Sequence, residues 1–303
     1  MTDTQPPFKR LAIIGLGLIG SSISHAVRAH GVAETVVGFD AAPEIRTRAR
    51  DLGLGDIVDG IGDAVRGADF VILAIPVGAV GAAASAIAPY LEAGAIVSDT
   101  GSVKESILRD VAPQLPKGVH LVPSHPVAGT EFSGPDAGFA ALFEKRWCIL
   151  TPAAHTDPAA VARVAAFWRA LGSKTEVMDA AHHDRVLAIT SHLPHLIAYN
   201  IVRTADDLET VTESEVFKYS AGGFRDFTRI AASDPVMWRD IFLNNKEAVL
   251  EMLGRFTEDL SALQRAIRWG DAETLETLFR RTRDIRRGII AAGQDEPEHL
   301  KKS

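Results

Sequence analysis

Short runs of apolar residues recur through the first half of the chain, separated by helical or Gly- and Ala-rich segments. Because each run is almost continuously apolar, it is typical of a strand in a parallel sheet that is covered on both faces. A helix is predicted over Pro158–Ala170, with Thr156 or Asp157 as its cap. The alternation predicts an α/β domain with a mainly parallel sheet. The predicted strands are Leu11–Ile14, Thr35–Phe39, Phe70–Ile75, Ala95–Ser98, Val119–Val122, Trp147–Leu150 and Thr175–Met178.

Strand patterns stop after Asp179, and the rest of the chain is predicted to be helical. We therefore expect two domains, 1–179 and 180–303. Asp234-Pro235 has the residue types that begin a helix, and a second helix is predicted over Ala272–Ile290. A seven-residue apolar repeat between them predicts one long seam for another helix, which favours a homodimer over packing within one chain. The repeat consists of Phe242, Leu253, Val249, Phe256, Leu260, Leu263 and Ile267.

Composition narrows the class of protein. A chain of 303 residues favours two domains over one core. The net charge of −7 argues against a nucleic-acid or anionic-membrane surface. The single Cys148 cannot form an internal disulfide and favours a reducing compartment. Residues 1–10 lack the layout of a signal peptide, and no apolar run approaches membrane-spanning length. These features predict a cytoplasmic protein.

A glycine-rich turn, Gly15–Gly20, follows the first predicted strand directly and opens a helix. This context is that of a Rossmann-like dinucleotide site, in which the helix N-terminus faces the phosphates. Gly15 permits the tight turn, Gly17 lets the backbone approach a pyrophosphate, and Gly20 brings helix and strand together. A turn without a ligand is the structural alternative. The predicted cofactor contacts are Gly15, Gly17, Leu18, Ile19, Gly20, Asp40, Pro76 and Ser102.

Asp40 ends the second predicted strand, twenty residues beyond Gly20. A carboxylate there accepts hydrogen bonds from a ribose and repels a 2′-phosphate, so NAD is preferred over NADP. Arg46 and Arg48 lie close enough in sequence to weaken that exclusion. Pro76, at the end of another strand, is expected to border the cofactor or simply to end the strand.

The candidate general base is His125. It follows the predicted strand Val119–Val122, and Pro126 restricts its backbone, so its imidazole leaves the strand end in a defined direction. A rigidly held group that titrates near neutrality suits proton abstraction from an alcohol. Ser102 is expected either to hydrogen-bond the substrate alcohol or to form a capping box with Glu105. Lys104 is expected to point to solvent.

Two later segments complete the predicted substrate site. In the first, His182-His183-Asp184 and Ser191–His195 form a polar cluster facing the interdomain cleft. His195 is expected to be a substrate hydrogen-bond donor, with a structural histidine as the alternative, and that alternative is favoured more for His192. Their spacing matches no zinc signature, so no metal is expected. In the second, Arg229 offers a planar fork for a carboxylate. Trp238 is expected to pack more than to bind. Gly223 is also placed in the substrate site.

Five motifs in this order resemble those of the prephenate dehydrogenases of tyrosine biosynthesis. The resemblance implies His125 as base for the ring hydroxyl, Ser102 as its helper and Arg229 as carboxylate anchor. It implies that His195 and Glu131 control access to the cleft, and that a helical C-terminal domain dimerises. The motifs are Gly15–Gly20, Asp99–Lys104, Ser124–Glu131, Ser191–His195 and Gly222–Ala231.

The expected reaction is the NAD-dependent oxidative decarboxylation of prephenate. Arogenate, or both compounds, is the alternative substrate. A β-hydroxyacid dehydrogenase is more remote, because no lysine that could serve as its catalytic group lies between Asp179 and Phe217. A nucleotide-binding protein without catalysis is disfavoured because His125, Ser102 and Arg229 are all present.

Overall fold

The computed structural model describes residues 8–130, 132–209 and 221–291. Its larger sheet has six parallel strands in the order β3-β2-β1-β4-β5-β6, which is the crossover arrangement of a Rossmann-like fold. The sequence predicted this sheet except for the short strand β3. The strands are β1 Phe8–Ile14, β2 Ala33–Phe39, β3 Asp56–Ile57, β4 Phe70–Leu73, β5 Ile96–Asp99 and β6 His120–Leu121.

A second, three-stranded sheet consists of β7 Ser124–Pro126, β8 Trp147–Leu150 and β9 Lys174–Val177. β8 pairs antiparallel with β7 and parallel with β9. This corrects two expectations: the late strands do not extend the parallel sheet, and His125 lies within a strand of its own. Pro123 separates β6 from β7, and proline lacks the N–H that would continue a ladder.

Helices cover the larger sheet and make up most of the chain after β9. Asp157 caps the helix that begins at Pro158, and Asp234 caps the one that begins at Pro235, both as predicted. The helices are Leu18–His30, Pro43–Asp51, Ile61–Val65, Val80–Ile87, Glu105–Val111, Pro158–Ala170, Ala180–Leu187, Leu193–Glu209, Gly222–Thr228, Pro235–Asn244, Lys246–Trp269 and Ala272–Ala291. A π-helical turn, Ala188–His192, joins two of them.

The predicted apolar seam is divided between two helices. Asn245 ends the first helix outside helical geometry, with φ −109° and ψ 35°, and the second begins at Lys246. The Asn245 side chain is buried and donates a hydrogen bond to the Asp184 carbonyl oxygen at 2.9 Å. The chain therefore leaves helical geometry at this buried polar contact, within the span of the predicted apolar seam.

Apolar side chains fill both faces of the larger sheet, because alternate residues of a strand point to opposite sides. Leu11 and Ile13 of β1 belong to a core cluster with Phe167, whereas Ala12 and Ile14 belong to the other cluster. Cys148 is buried as a free thiol. The sheet is therefore covered on both faces, as its continuous apolar strands predicted.

The chain divides into two compact units, Met1–Val249 and Leu250–Ser303. The described part of the second unit holds helix Lys246–Trp269 from Leu250 onward and the helix Ala272–Ala291, which has no buried residue. The predicted domain boundary at residues 179 and 180 stays a prediction. Among the described helices, none is long and apolar enough to cross a membrane.

Candidate active site

The glycine-rich turn lies between the ends of β1, β2 and β4. Gly15 has φ +97° and donates from its N–H to the Phe39 carbonyl oxygen at 2.8 Å. A Cβ atom at Gly15 would lie 2.3 Å from the Ala74 carbonyl oxygen, and one at Gly20 would lie 1.9 Å from the Gly15 carbonyl oxygen. Both positions therefore require glycine, for the reasons that the sequence predicted.

The helix that starts at Leu18 presents its N-terminus at this turn. Gly17 is its N-cap, no side chain among the described residues caps it, and its first turn contains no acidic residue. A Cβ atom at Gly17 would meet nothing within 4 Å, so the space above the first turn is open. The amides of Leu18 and Ile19 stand in that first turn. Unpaired helix N–H groups facing open space fit a pyrophosphate, as NAD carries.

Asp40 stands directly beside the glycine turn. One carboxylate oxygen accepts from the Leu16 N–H and the other from the Ala42 N–H, both at 2.9 Å. A carboxylate has further acceptor capacity, so both bonds leave room for a ribose hydroxyl. Arg46 donates to the carbonyl oxygens of Asp40 and Ala41 and pairs with Asp59 at 3.0 Å. One of the two guanidinium groups that the sequence left available for a 2′-phosphate is thus engaged within the protein, and the other, that of Arg48, pairs with Asp136.

Pro76 is exposed and follows β4, immediately before the short 3-10 turn Val77–Ala79. The end of β4 lies against the glycine turn, because the Gly15 position faces Ala74 and Ile75. The structure therefore places Pro76 next to the glycine turn, and its contact with the cofactor stays a prediction.

His125 is 8% exposed and pairs with Ile149 across the smaller sheet. Its Nδ1 lies 2.9 Å from Nε2 of His183. Burial lowers the pKa of His125 well below its usual value, and the neighbouring His183, Lys104 and His192 lower it further. The ring is therefore neutral near pH 7, which is the form that a general base requires.

The sequence did not assign His183 and Asp184 to the base. His183 is fully buried, and its Nδ1 lies 2.7 Å from an Asp184 carboxylate oxygen. The adjacent His-Asp pair was visible in the sequence. Its use was not, because the contact with His125 joins residues 58 positions apart.

The segment around Ser102 differs from the predicted capping box. The helix Glu105–Val111 has Lys104 as N-cap, without a side-chain hydrogen bond from that residue. The Asp184 carboxylate supplies the cap instead, accepting from the Lys104 N–H at 2.8 Å and the Glu105 N–H at 2.9 Å. Half-buried Ser102 is therefore not needed as a cap. Ser102 lies two residues before Lys104, whose N–H donates to Asp184, the hydrogen-bond partner of His183.

Lys104 is buried, which corrects the expectation that it points to solvent. Its exposure is 0%, and its Nζ lies 2.5 Å from an Asp99 oxygen and 2.8 Å from the Ser124 carbonyl oxygen. Burial lowers the pKa of Lys104, and burial raises the pKa of Asp99. The two groups compensate each other, so the ammonium needs no access to water.

Trp238 is buried in the apolar core and stacks on His195, with ring centroids 3.7 Å apart and an interplanar angle of 23°. It packs, as the sequence expected, while forming one wall of the His195 environment. His195 Nδ1 lies 2.8 Å from the Ser191 carbonyl oxygen and so donates to it. Burial lowers the pKa of His195, and the charge of Arg229 lowers it further. Neutral His195 thus presents Nε2 as an acceptor; the predicted donor role requires the imidazolium.

A series of contacts joins this region to the base. The His192 and Trp238 rings are 6.0 Å apart, and the Asn245 side-chain nitrogen lies 3.0 Å from His192 Nδ1. The series continues through Asp184 to His125. Gly223 is exposed on the helix Gly222–Thr228, and Glu131 lies outside the described residues. The residues joined in order are His195, Trp238, His192, Asn245, Asp184, His183 and His125.

Comparisons with known proteins show which family the chain resembles. Residues 23–177 match the family model described as the nucleotide-binding domain of prephenate dehydrogenase, and residues 179–281 match its dimerization domain. A cyclohexadienyl dehydrogenase of Zymomonas mobilis is 48% identical over 92% of this chain and 95% of its own length. A prephenate dehydrogenase of Bacillus subtilis is 33% identical over 92% of this chain and 76% of its own.

Among solved structures, prephenate dehydrogenase from A. aeolicus in complex with hydroxyphenyl propionate and NAD⁺ is 37% identical, with a TM-score of 0.85. The match covers 93% of this chain and 98% of that one.

Proposed function

The chain belongs to the prephenate dehydrogenase family, and from this premise we propose that it converts prephenate to 4-hydroxyphenylpyruvate by oxidative decarboxylation. It is an NAD-dependent dehydrogenase of tyrosine biosynthesis. The observation that carries the proposal is the neutral, buried His125 held by His183, in the same compact unit as the glycine turn and Asp40.

His125 first accepts and later returns the proton of the substrate hydroxyl. NAD, when bound, accepts the hydride from C4 of the ring. Nε2 of His125 takes the proton of the C4 hydroxyl as the C–O bond gains carbonyl character. The bond to the ring carboxylate then breaks, its electron pair makes the ring aromatic, and the oxygen takes the proton back from His125. His125 is therefore neutral again at the end of the reaction, and CO₂ leaves.

The other predicted residues are proposed to bind and orient the substrate. Arg229 provides a planar cation for a substrate carboxylate, close enough to His195 for its charge to lower the pKa of that ring. His195 and Trp238 form a stacked pair that would flank the substrate ring, with Gly223 on the neighbouring helix. Ser102, three residues beyond the end of β5, would hydrogen-bond the hydroxyl or orient His125. Glu131 is proposed to control charge at the entrance.

Arogenate, alone or together with prephenate, is the second candidate substrate. The cyclohexadienyl dehydrogenase that shares 48% of its residues over most of both chains is the observation that favours it. The two compounds differ only by a keto or an amino group on the side chain. A β-hydroxyacid dehydrogenase is not favoured by these relationships.

The deciding experiment is steady-state kinetics with prephenate and arogenate, each with NAD and NADP. We expect turnover of prephenate with NAD. His125→Asn should lower kcat by roughly 10²-fold or more while NAD binding persists. Arg229→Lys should mainly raise KM, because a point charge replaces a fork. Near-normal turnover by His125→Asn, or no turnover of either substrate by the parent enzyme, would refute the proposal.

We also propose a homodimer formed by the C-terminal helices. Support comes from the match to a dimerization domain over residues 179–281 and from exposed apolar side chains in the second unit, among them Leu260 and Ile267. A cytoplasmic location is proposed from the single, buried Cys148, which fits a reducing compartment.

A further inference from the structure

Three buried side chains form a hydrogen-bonded series that ends at the base. Asp184 is 1% exposed, His183 is 0% exposed and His125 is 8% exposed. The two contacts measure 2.7 Å from Asp184 to His183 Nδ1 and 2.9 Å from His183 Nε2 to His125 Nδ1. His183 therefore uses both of its ring nitrogens in these contacts, and His125 uses only Nδ1.

The order fixes which nitrogen carries each proton. The ionised Asp184 carboxylate only accepts, so Nδ1 of His183 must donate to it. In a neutral ring the other nitrogen then accepts, so Nε2 of His183 receives the Nδ1–H of His125. The proton of His125 is therefore on Nδ1, and the lone pair is on Nε2. That nitrogen is the one left to face a substrate.

We propose that His183 and Asp184 are positioning residues that hold His125 in the Nε2-unprotonated tautomer and stabilise the imidazolium formed when Nε2 accepts the substrate proton. The inference rests on the proposed function only in taking His125 as the base. A carboxylate that fixes the tautomer of a catalytic histidine acts in the same way in the serine-protease triad. Here a second histidine is interposed between the carboxylate and the base.

Asp184 is itself held rigidly, as this role requires. Its two oxygens also accept from the Lys104 and Glu105 amides, and its carbonyl oxygen accepts from Asn245. The same carboxylate therefore anchors the segment that follows Ser102. Asp184 therefore positions both His125, through His183, and the segment that follows Ser102. A carboxylate that only capped the helix would not also need to contact a histidine pair.

The charged and titratable groups around the series define its pH behaviour. His183, Lys104 and His192 face His125, and Asp184, Lys104 and Asp99 face His183. Because Asp184 is the anion nearest the histidine pair, replacing it with a neutral group removes stabilisation from the imidazolium. The acid limb of the kcat profile should then move to lower pH.

The kinetic test compares His183→Leu with His183→Gln. Leucine removes the acceptor for His125 Nδ1–H, whereas the glutamine amide oxygen can occupy the Nε2 position. We expect His183→Leu to lower kcat on the order of 10²-fold with KM for prephenate changed less than about twofold, and His183→Gln to recover at least about tenfold. His155→Leu, at an exposed histidine outside the site, is the matched control and should keep the parent kcat.

Asp184→Asn supplies the pH readout, with the expected acid limb below that of the parent. A purely structural role would lower the free energy of unfolding and leave the profile in place. Equal kcat for the two His183 variants, or an unmoved profile in a folded Asp184→Asn enzyme, would overturn the proposal.

The tautomer can be measured without turnover. In ¹⁵N-histidine-labelled protein at pH 8, the His125 resonances, identified by their loss in His125→Asn, should show a protonated Nδ1 and an unprotonated Nε2. A protonated Nε2 would overturn the inference even if prephenate is turned over. The expected pattern would uphold the tautomer even if another cyclohexadienol proved to be the substrate.

Discussion

At the scale of single residues, the least predictable feature is a lysine without solvent contact. A lysine followed by glutamate at the start of a helix is usually exposed. Lys104 is buried because Asp99, at the end of β5, lies 2.5 Å from its ammonium group. A pair five residues apart follows no helix or strand spacing, so the sequence contained no signal for it. Asp40, in contrast, was predictable, because its distance from the glycine turn is set by one strand–helix–strand unit.

Lys104→Met is expected to destabilise the protein by about 3–5 kcal/mol. The substitution leaves Asp99 as a buried carboxylate without its cation, and an uncompensated buried charge is costly. The free energy of unfolding from urea titrations at pH 7.5 measures the effect. Lys117→Met, at an exposed lysine, should change stability by less than about 0.5 kcal/mol.

The double variant Asp99→Asn with Lys104→Met separates charge from packing. With both charges removed, most of the loss should be recovered, because breaking a buried pair costs more than replacing it. A single Lys104→Met variant as stable as the parent would contradict the assignment of a buried ion pair.

At the scale of elements, helix starts were predictable where the capping residue is local. Asp157 and Asp234 each cap the helix that follows them, and both were read from the sequence. The helix Glu105–Val111 is different, because its cap comes from Asp184, about eighty residues later. A local sequence pattern cannot reveal so distant a partner. The capping box of Ser102 and Glu105, one of the two alternatives that the sequence left open, is therefore not formed.

The glycine turn gives a matched pair of predictions. Gly20→Ala should lower the free energy of unfolding, because its Cβ would lie 1.9 Å from the Gly15 carbonyl oxygen and force the helix from the strand. Gly17→Ala should leave stability within about 0.5 kcal/mol of the parent, because its Cβ meets nothing within 4 Å. It should nevertheless raise KM for NAD at least about tenfold, since the methyl group enters the space over the helix N-terminus.

Thermal unfolding and NAD kinetics of both variants provide the measurement. Unchanged KM for NAD in Gly17→Ala would show that the pyrophosphate does not approach this turn.

At the scale of the whole molecule, three buried histidines and the half-buried His195 couple stability to pH. Burial lowers the pKa of His125, His183, His192 and His195, and that of His192 falls from 6.5 to about 4. Between those values the unfolded chain binds protons that the native state does not, so stability rises with pH there. The contribution is complete above pH 6.5 and is lost as the pH falls toward 4.

The titration of His192 alone should lower the free energy of unfolding by about 2 kcal/mol when the pH falls from 7.5 to 5. His192→Asn keeps an acceptor for the Asn245 amide but removes the titration, so its stability should depend less steeply on pH. Urea titrations at both pH values measure the two differences. Equal pH dependence in parent and variant would contradict a buried, neutral His192.

The seven-residue apolar repeat indicates assembly with a second chain, because a single chain leaves part of the predicted seam exposed. Leu260 and Ile267, both on the predicted seam, are 52% and 67% exposed. Burial in a dimer would recover about 1.5–3 kcal/mol for each side chain. Replacing both with Glu should therefore weaken the dimer by at least about 10²-fold in Kd, as sedimentation velocity over a concentration series would show. Arg265→Glu, on the opposite side of the same helix, also adds a carboxylate and should leave the dimer intact. A parent protein that sediments as a monomer, or a double Glu variant that dimerises like the parent, would place the partner surface elsewhere.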